Sequence, residues 1–125
     1  MKDRKDLQIM DYKFIKTDYL EMVAGGDGEL LKELINMFRD QVAEFSEEMK
    51  KLLQEKNYYE LGLLAHKAKS SVSIMGMDSL ANLLKTFELQ AKTSLNIDRY
   101  QSYVTRFEND TRSALAELET LIEKQ

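Results

Sequence analysis

The stretch Asn57-Tyr58-Tyr59-Glu60-Leu61-Gly62-Leu63-Leu64-Ala65-His66-Lys67-Ala68-Lys69-Ser70-Ser71-Val72-Ser73-Ile74-Met75-Gly76 decides the fold class. Its inward positions are Leu61, Leu64, Ala65, Ala68, Val72 and Met75, stepping by threes and fours along one face of a helix. Asn57 with Glu60 three residues on has the form of a capping box at the N-terminal end. Gly76 follows the last apolar position, where a glycine stops a helix because it takes the left-handed conformation at little cost. The spacing therefore predicts a helix from 58 to 75. At about 100° per residue, His66 lies roughly 140° from the centre of the apolar stripe and is expected to face outward.

The same reading extends to both sides. Upstream, Asp27 is placed to cap a long helix reaching about Lys56, with Leu31, Leu34, Phe38, Val42, Phe45, Met49 and Leu52 inward. Before it, Thr17 can cap a short helix through about Val23, closed by Ala24-Gly25-Gly26. Downstream, Asp78 is expected to open a helix with Leu80, Leu83, Leu84, Phe87 and Ala91 inward. Asp98 is expected to open the last, with Tyr100, Tyr103, Val104, Phe107, Thr111, Ala114, Leu118, Leu121 and Ile122 on one face. The chain has no proline, whose presence inside a helix costs about 3 kcal/mol. Four amphipathic helices joined by short loops bury their stripes against one another. The expected fold is all-α: an antiparallel four-helix bundle with a short additional N-terminal helix. It should occupy residues 17–125, with 1–16 as an N-terminal extension.

Composition narrows the function classes. The chain has 125 residues, enough for one core, and is 43% hydrophobic and 32% charged, the balance of a folding sequence. It contains no cysteine, so neither a disulfide framework nor a thiolate metal site is available, which fits a cytoplasmic compartment. No apolar run approaches the roughly 18 residues of a membrane span. The net charge is −4, with Lys and Arg scattered among acids, a poor match for nucleic acid. No glycine-rich nucleotide loop is present, so ATP-dependent autophosphorylation is not expected. A di-iron bundle needs two Glu-x-x-His motifs, and the chain has one histidine.

The helical neighbours of His66 are Gly62, Lys69, Ser70 and Ser73, three of them small. Gly62 costs roughly 1 kcal/mol of helix propensity against alanine, which either close packing or partner access should offset. Lys69, one turn on, can reach a group attached to the imidazole and donate charge-assisted hydrogen bonds to its oxygens. Lys67 adds positive potential further round the helix. Tyr59, Leu63 and Ile74 are apolar residues on the side of His66 and give that face the character of a docking surface. Leu63 and Ile74 have a second reading, as residues packed beneath the short first helix.

The run Ala65-His66-Lys67-Ala68-Lys69-Ser70-Ser71, followed by Met75-Gly76-Met77 and Leu80, resembles the signature of histidine-containing phosphotransfer (HPt) domains. Phe87-Glu88 stands where that family has a Leu/Phe-Glu pair. Gly26-Asp27-Gly28-Glu29-Leu30-Leu31 with Phe38 looks like the start of its first long helix, and Asn57-Tyr58-Tyr59-Glu60-Leu61 like its approach to the histidine helix. The resemblance runs from about Thr17 to the C-terminus. Two positions depart from the pattern: Ser70 replaces the usual glycine after the lysine, and Lys67 replaces a commonly uncharged residue.

The resemblance implies a phosphoryl carrier between receiver-domain aspartates in a multistep two-component phosphorelay. His66 is then the phospho-acceptor, through Nε2, and Lys69 stabilises the phosphoryl group. Tyr59, Gly62, Leu63, Lys67, Ser70, Ser73 and Ile74 form the docking face. The implied partners are response-regulator receiver domains and a hybrid sensor kinase, met by a monomer that binds neither nucleic acid nor membrane. No cofactor of its own is expected, the Mg²⁺ belonging to the receiver. The other reading is an HPt-like module that binds receivers without phosphotransfer.

Overall fold

The computed structural model describes residues 12–123, and these contain helices and no strand. The helices are α1 (Asp18–Ala24), α2 (Gly28–Gln54), α3 (Tyr58–Ile74), α4 (Asp78–Lys92) and α5 (Tyr100–Glu123), with a 3₁₀ turn at Ile97–Arg99 before α5. The four long helices close a ring: α2 packs on α3, α3 on α4, α4 on α5, and α5 back on α2. Where two contacts join one pair, as for α4 with α5 and α2 with α5, they run in opposite senses. Ser71 of α3 meets Gln41 of α2, Ser79 at the start of α4 meets Arg106 of α5, and Gln90 near its end meets Tyr103. Between α2 and α5, Arg39 pairs with Glu119 and Lys50 with Glu108. These pairings have the sense of an antiparallel bundle, as three-residue loops between α2, α3 and α4 require.

Helix ends show where capping chemistry prevails. Asp27 caps α2 as expected: its Oδ1 accepts the N–H groups of Glu29 and Leu30, each at 3.1 Å. The capping box expected at Asn57 is absent, since its side chain makes no cap bond. Asp78 lies inside the first turn of α4 rather than before it, and Met77 occupies the cap position. There the Asp78 carboxylate accepts from Lys16 Nζ at 2.7 Å. Asp98 likewise falls in the 3₁₀ turn, and α5 begins at Tyr100. The Thr17 hydroxyl donates to Glu21 Oε2 instead of capping α1. Gly76 ends α3 as read, with φ +71°, and a Cβ there would meet Lys16 backbone at 2.5 Å.

The inward stripes are largely those of the sequence reading, with Phe38, Leu61, Ala65, Ala68, Val72, Leu84, Phe87, Tyr100, Val104 and Phe107 all buried. Ile35 of α2 is also fully buried, a position the stepping from Leu34 to Phe38 passed over. Leu34, Phe45, Leu64, Leu83 and Tyr103 are only partly buried, packed at the margin of the core.

The expected boundary at Thr17 is too late. Ile15 is buried in the core, Lys16 N–H donates to the Met75 carbonyl at 3.1 Å, and the Glu117 carboxylate accepts the N–H groups of Lys13, Phe14 and Ile15 at 2.8–3.2 Å. The packed unit therefore reaches back at least to Tyr12. Residues 1–11 of the expected extension lie outside the described residues.

Candidate functional site

His66 sits midway along α3, and its side chain is 57% exposed, on the outward face the spacing predicted. Facing it from α4 is Glu88, only 8% exposed and, with Thr111, one of two buried polar residues among those described. His66 Nδ1 lies 3.1 Å from Glu88 Oε1, and Lys92 Nζ donates to Glu88 Oε2 at 2.8 Å. Glu88 and Lys92 are one turn apart on α4, so both oxygens of the carboxylate are engaged.

The electrostatics of this trio fix the histidine's tautomer. The hydrogen bond from the Lys92 ammonium holds the Glu88 carboxyl below the usual glutamate range; burial opposes this, and the bond to His66 reinforces it. Glu88 raises Lys92 in turn. An ionised carboxylate only accepts hydrogen bonds, so Nδ1 carries the proton and donates it to Oε1. The lone pair of a neutral ring is then on Nε2, which makes no hydrogen bond among the described residues. Since Glu88 is depressed on folding, its contribution to stability is complete above the unfolded value near 4.5 and is lost as the pH falls through the lower folded value. The denaturation midpoints of wild type and Glu88→Gln should differ most above that pH and converge below it. A gap independent of pH would mean that the carboxylate charge contributes nothing.

The remaining predicted positions divide by side. Tyr59 and Ile74 are exposed, at 56% and 41%, and Leu63 is half-buried, all three on the helix that carries His66. Lys67, Ser70 and Ser73 are exposed, the Ser73 hydroxyl being bonded to the Lys69 carbonyl. Lys69 is half-buried, and its ammonium makes no hydrogen bond or ion pair among the described residues. Gly62 is a correction. It is buried, and a Cβ there would lie 2.9 Å from Lys92 Cγ, 3.0 Å from the Glu88 carbonyl and 3.1 Å from Lys92 N. The glycine serves contact between α3 and α4, the packing alternative of the sequence reading, and is not an open docking position.

Glu88 and Lys92 were not among the site residues read from sequence. Glu88 carried a signal: an acid one residue after the buried Phe87, on the flank of an otherwise apolar stripe. Lys92 carried none, since a lysine in the last turn of a helix is an ordinary partner for its dipole.

Among the described residues, no group of three or more His, Cys, Asp or Glu side chains could hold a metal ion. No described helix is long and apolar enough to cross a membrane. Neither the curated proteins nor the solved structures searched give a significant match. A family model of the Hpt domain matches residues 33–125, well over half of the chain, and that span contains the histidine helix and the glutamate helix packed on it. The chain belongs to the Hpt domain family, whose members carry histidine phosphotransfer in two-component signalling and interact there with receiver domains and kinases.

Proposed function

We propose that this protein is an intermediate phosphoryl carrier, taking the group from one receiver aspartate onto His66 Nε2 and delivering it to another. The observation that carries this reading is the exposed imidazole whose Nδ1 is engaged by buried Glu88 while Nε2 is free. In the forward step, the Nε2 lone pair attacks phosphorus. An N–P bond forms, the acyl-phosphate P–O bond breaks, and the aspartate leaves as a carboxylate. The ring then bears substituents on both nitrogens and a positive charge, which lies against the Glu88 carboxylate. Glu88 thus orients the nucleophile and stabilises the charged ring that follows, as the buried carboxylate does behind a catalytic imidazole in hydrolytic triads.

Lys69 supplies the other charge. Its uncommitted ammonium is one turn from His66, where it can donate to phosphoryl oxygens as they arrive. Tyr59, Leu63 and Ile74, with Lys67, Ser70 and Ser73, provide a mixed surface for the receiver. The chain contributes position and charge, and the metal that phosphoryl transfer uses belongs to the receiver.

The test is transfer of label from a receiver phosphorylated on its aspartate with ³²P. The label should move to this chain as an acid-labile, base-stable phosphoramidate, then leave for a second receiver. A stable complex that forms without transfer would reduce the protein to a receiver-binding module.

A further inference from the structure

The contact at Gly62 joins a backbone feature to the reactive ring. Its missing Cβ leaves room for the Lys92 stem and for the α4 backbone at Glu88 and Lys92 to lie directly on α3. From that position Lys92 turns back along its own helix and donates to Glu88 Oε2, and Glu88 Oε1 receives His66 Nδ1–H. Gly62 is one turn before His66 on α3, and Lys92 one turn after Glu88 on α4. The four residues thus form a rectangle spanning the two helices. Two of its corners are on the backbone contact, and two carry the chemistry.

We propose that Gly62 and Lys92 are positioning residues that clasp α3 to α4 and, through Glu88, fix the tautomer and direction of the His66 ring. This rests on the reading of His66 as the phosphoryl acceptor, and it gives Gly62 and Lys92 a role within the reaction. A glycine in mid-helix lowers helix propensity; here its absent side chain sets the helix separation at which a buried carboxylate reaches an exposed imidazole. Lys92 holds the second carboxylate oxygen, so that Glu88 has one free oxygen, aimed at Nδ1. Neither residue touches the transferred group.

His66 is the only histidine, so the ring's nitrogens give one unambiguous set of signals in a long-range ¹H–¹⁵N correlation spectrum. The experiment records that spectrum for the full chain, for Gly62→Ala and for Lys92→Met, at a pH where the ring is neutral. The same samples are assayed for acceptance from a phosphorylated receiver. Wild type should show the Nδ1–H tautomer as the dominant form. Both variants should shift population toward Nε2–H, and acceptance should slow by about ten- to a hundredfold, the scale that a misplacement of about 1 Å costs. Lys92→Met keeps the methylene stem and removes the ammonium, so it remains informative if Gly62→Ala does not fold. Variants that melt lower but keep the wild-type tautomer would overturn the clasp and leave Gly62 and Lys92 as packing residues. If wild type accepts no phosphoryl group while the tautomer responds as expected, the carrier reading fails and the clasp stands.

Discussion

His66→Gln should accept no detectable phosphoryl group from a phosphorylated receiver, while keeping wild-type helical content and a melting temperature near that of the parent. The two halves of this expectation have separate grounds. Loss of transfer follows because His66 is the only imidazole, and no other side chain among the described residues presents a free nitrogen nucleophile beside a buried carboxylate. Glutamine retains length and polarity, and its amide nitrogen is not nucleophilic. Retention of fold follows from the exposure of the ring, 57%, and from its one hydrogen bond among the described residues. Glutamine can place an N–H near Glu88 Oε1, so the carboxylate keeps a donor besides Lys92. Circular dichroism and thermal melting would check the fold, and label transfer the chemistry. Undiminished transfer would assign the phosphoryl group to another residue. An unfolded variant would show that the His66–Glu88 bond holds the bundle together, contrary to the exposure of the ring.

Where local periodicity governs, the fold was legible. Each long helix has one apolar stripe, and burial of the helix pairs follows from it. The outward placement of His66 is the same inference with its sign reversed, because a residue far from the stripe has nowhere else to point. Asp27 was legible for another local reason: an acidic side chain before a helix reaches its first free N–H groups without help from the rest of the chain. The departures come from tertiary contacts. Asp78 has the type of a capping residue, but Lys16 arrives from the N-terminal segment and takes its carboxylate. Glu117 reads as a solvated acid on a helix, and it anchors three consecutive N–H groups from the far end of the chain. Gly62 is the instructive case. Its spacing from His66 was correct, but a helical wheel does not show which neighbouring helix covers that flank. The α4 backbone covers it, and the small residue serves the protein's own packing. The Lys92 contact belongs to the same blind spot, since what brings the Glu88–Lys92 pair to His66 is the separation of two helices, which a helical wheel does not show.

Lys69→Ala should slow phosphoryl acceptance by about ten- to a hundredfold without weakening receiver docking to a comparable degree. Among the described residues the Lys69 ammonium has no hydrogen-bond or ion-pair partner, whereas Lys92, near the same ring, is committed to Glu88. A cation held one turn from the nucleophile and left unpaired is available to the oxygens that arrive with phosphorus. Removing a hydrogen bond to a charged group costs roughly 1.5–3 kcal/mol. At about 1.4 kcal/mol for each factor of ten in rate, the loss corresponds to that range when the contact is complete in the transition state. The Lys69 stem is half-buried, so alanine also removes some packing, and Lys69→Met separates the two effects by keeping the stem and deleting the charge. If the ammonium is what matters, Met and Ala variants should lose similar amounts of activity, and only Ala should lower the melting temperature. Single-turnover transfer at saturating receiver reads the rate, and its concentration dependence reads docking. Wild-type rates in Lys69→Met would mean that the phosphoryl charge is met entirely by the receiver, leaving His66 and Glu88 as the chain's whole contribution to the chemistry.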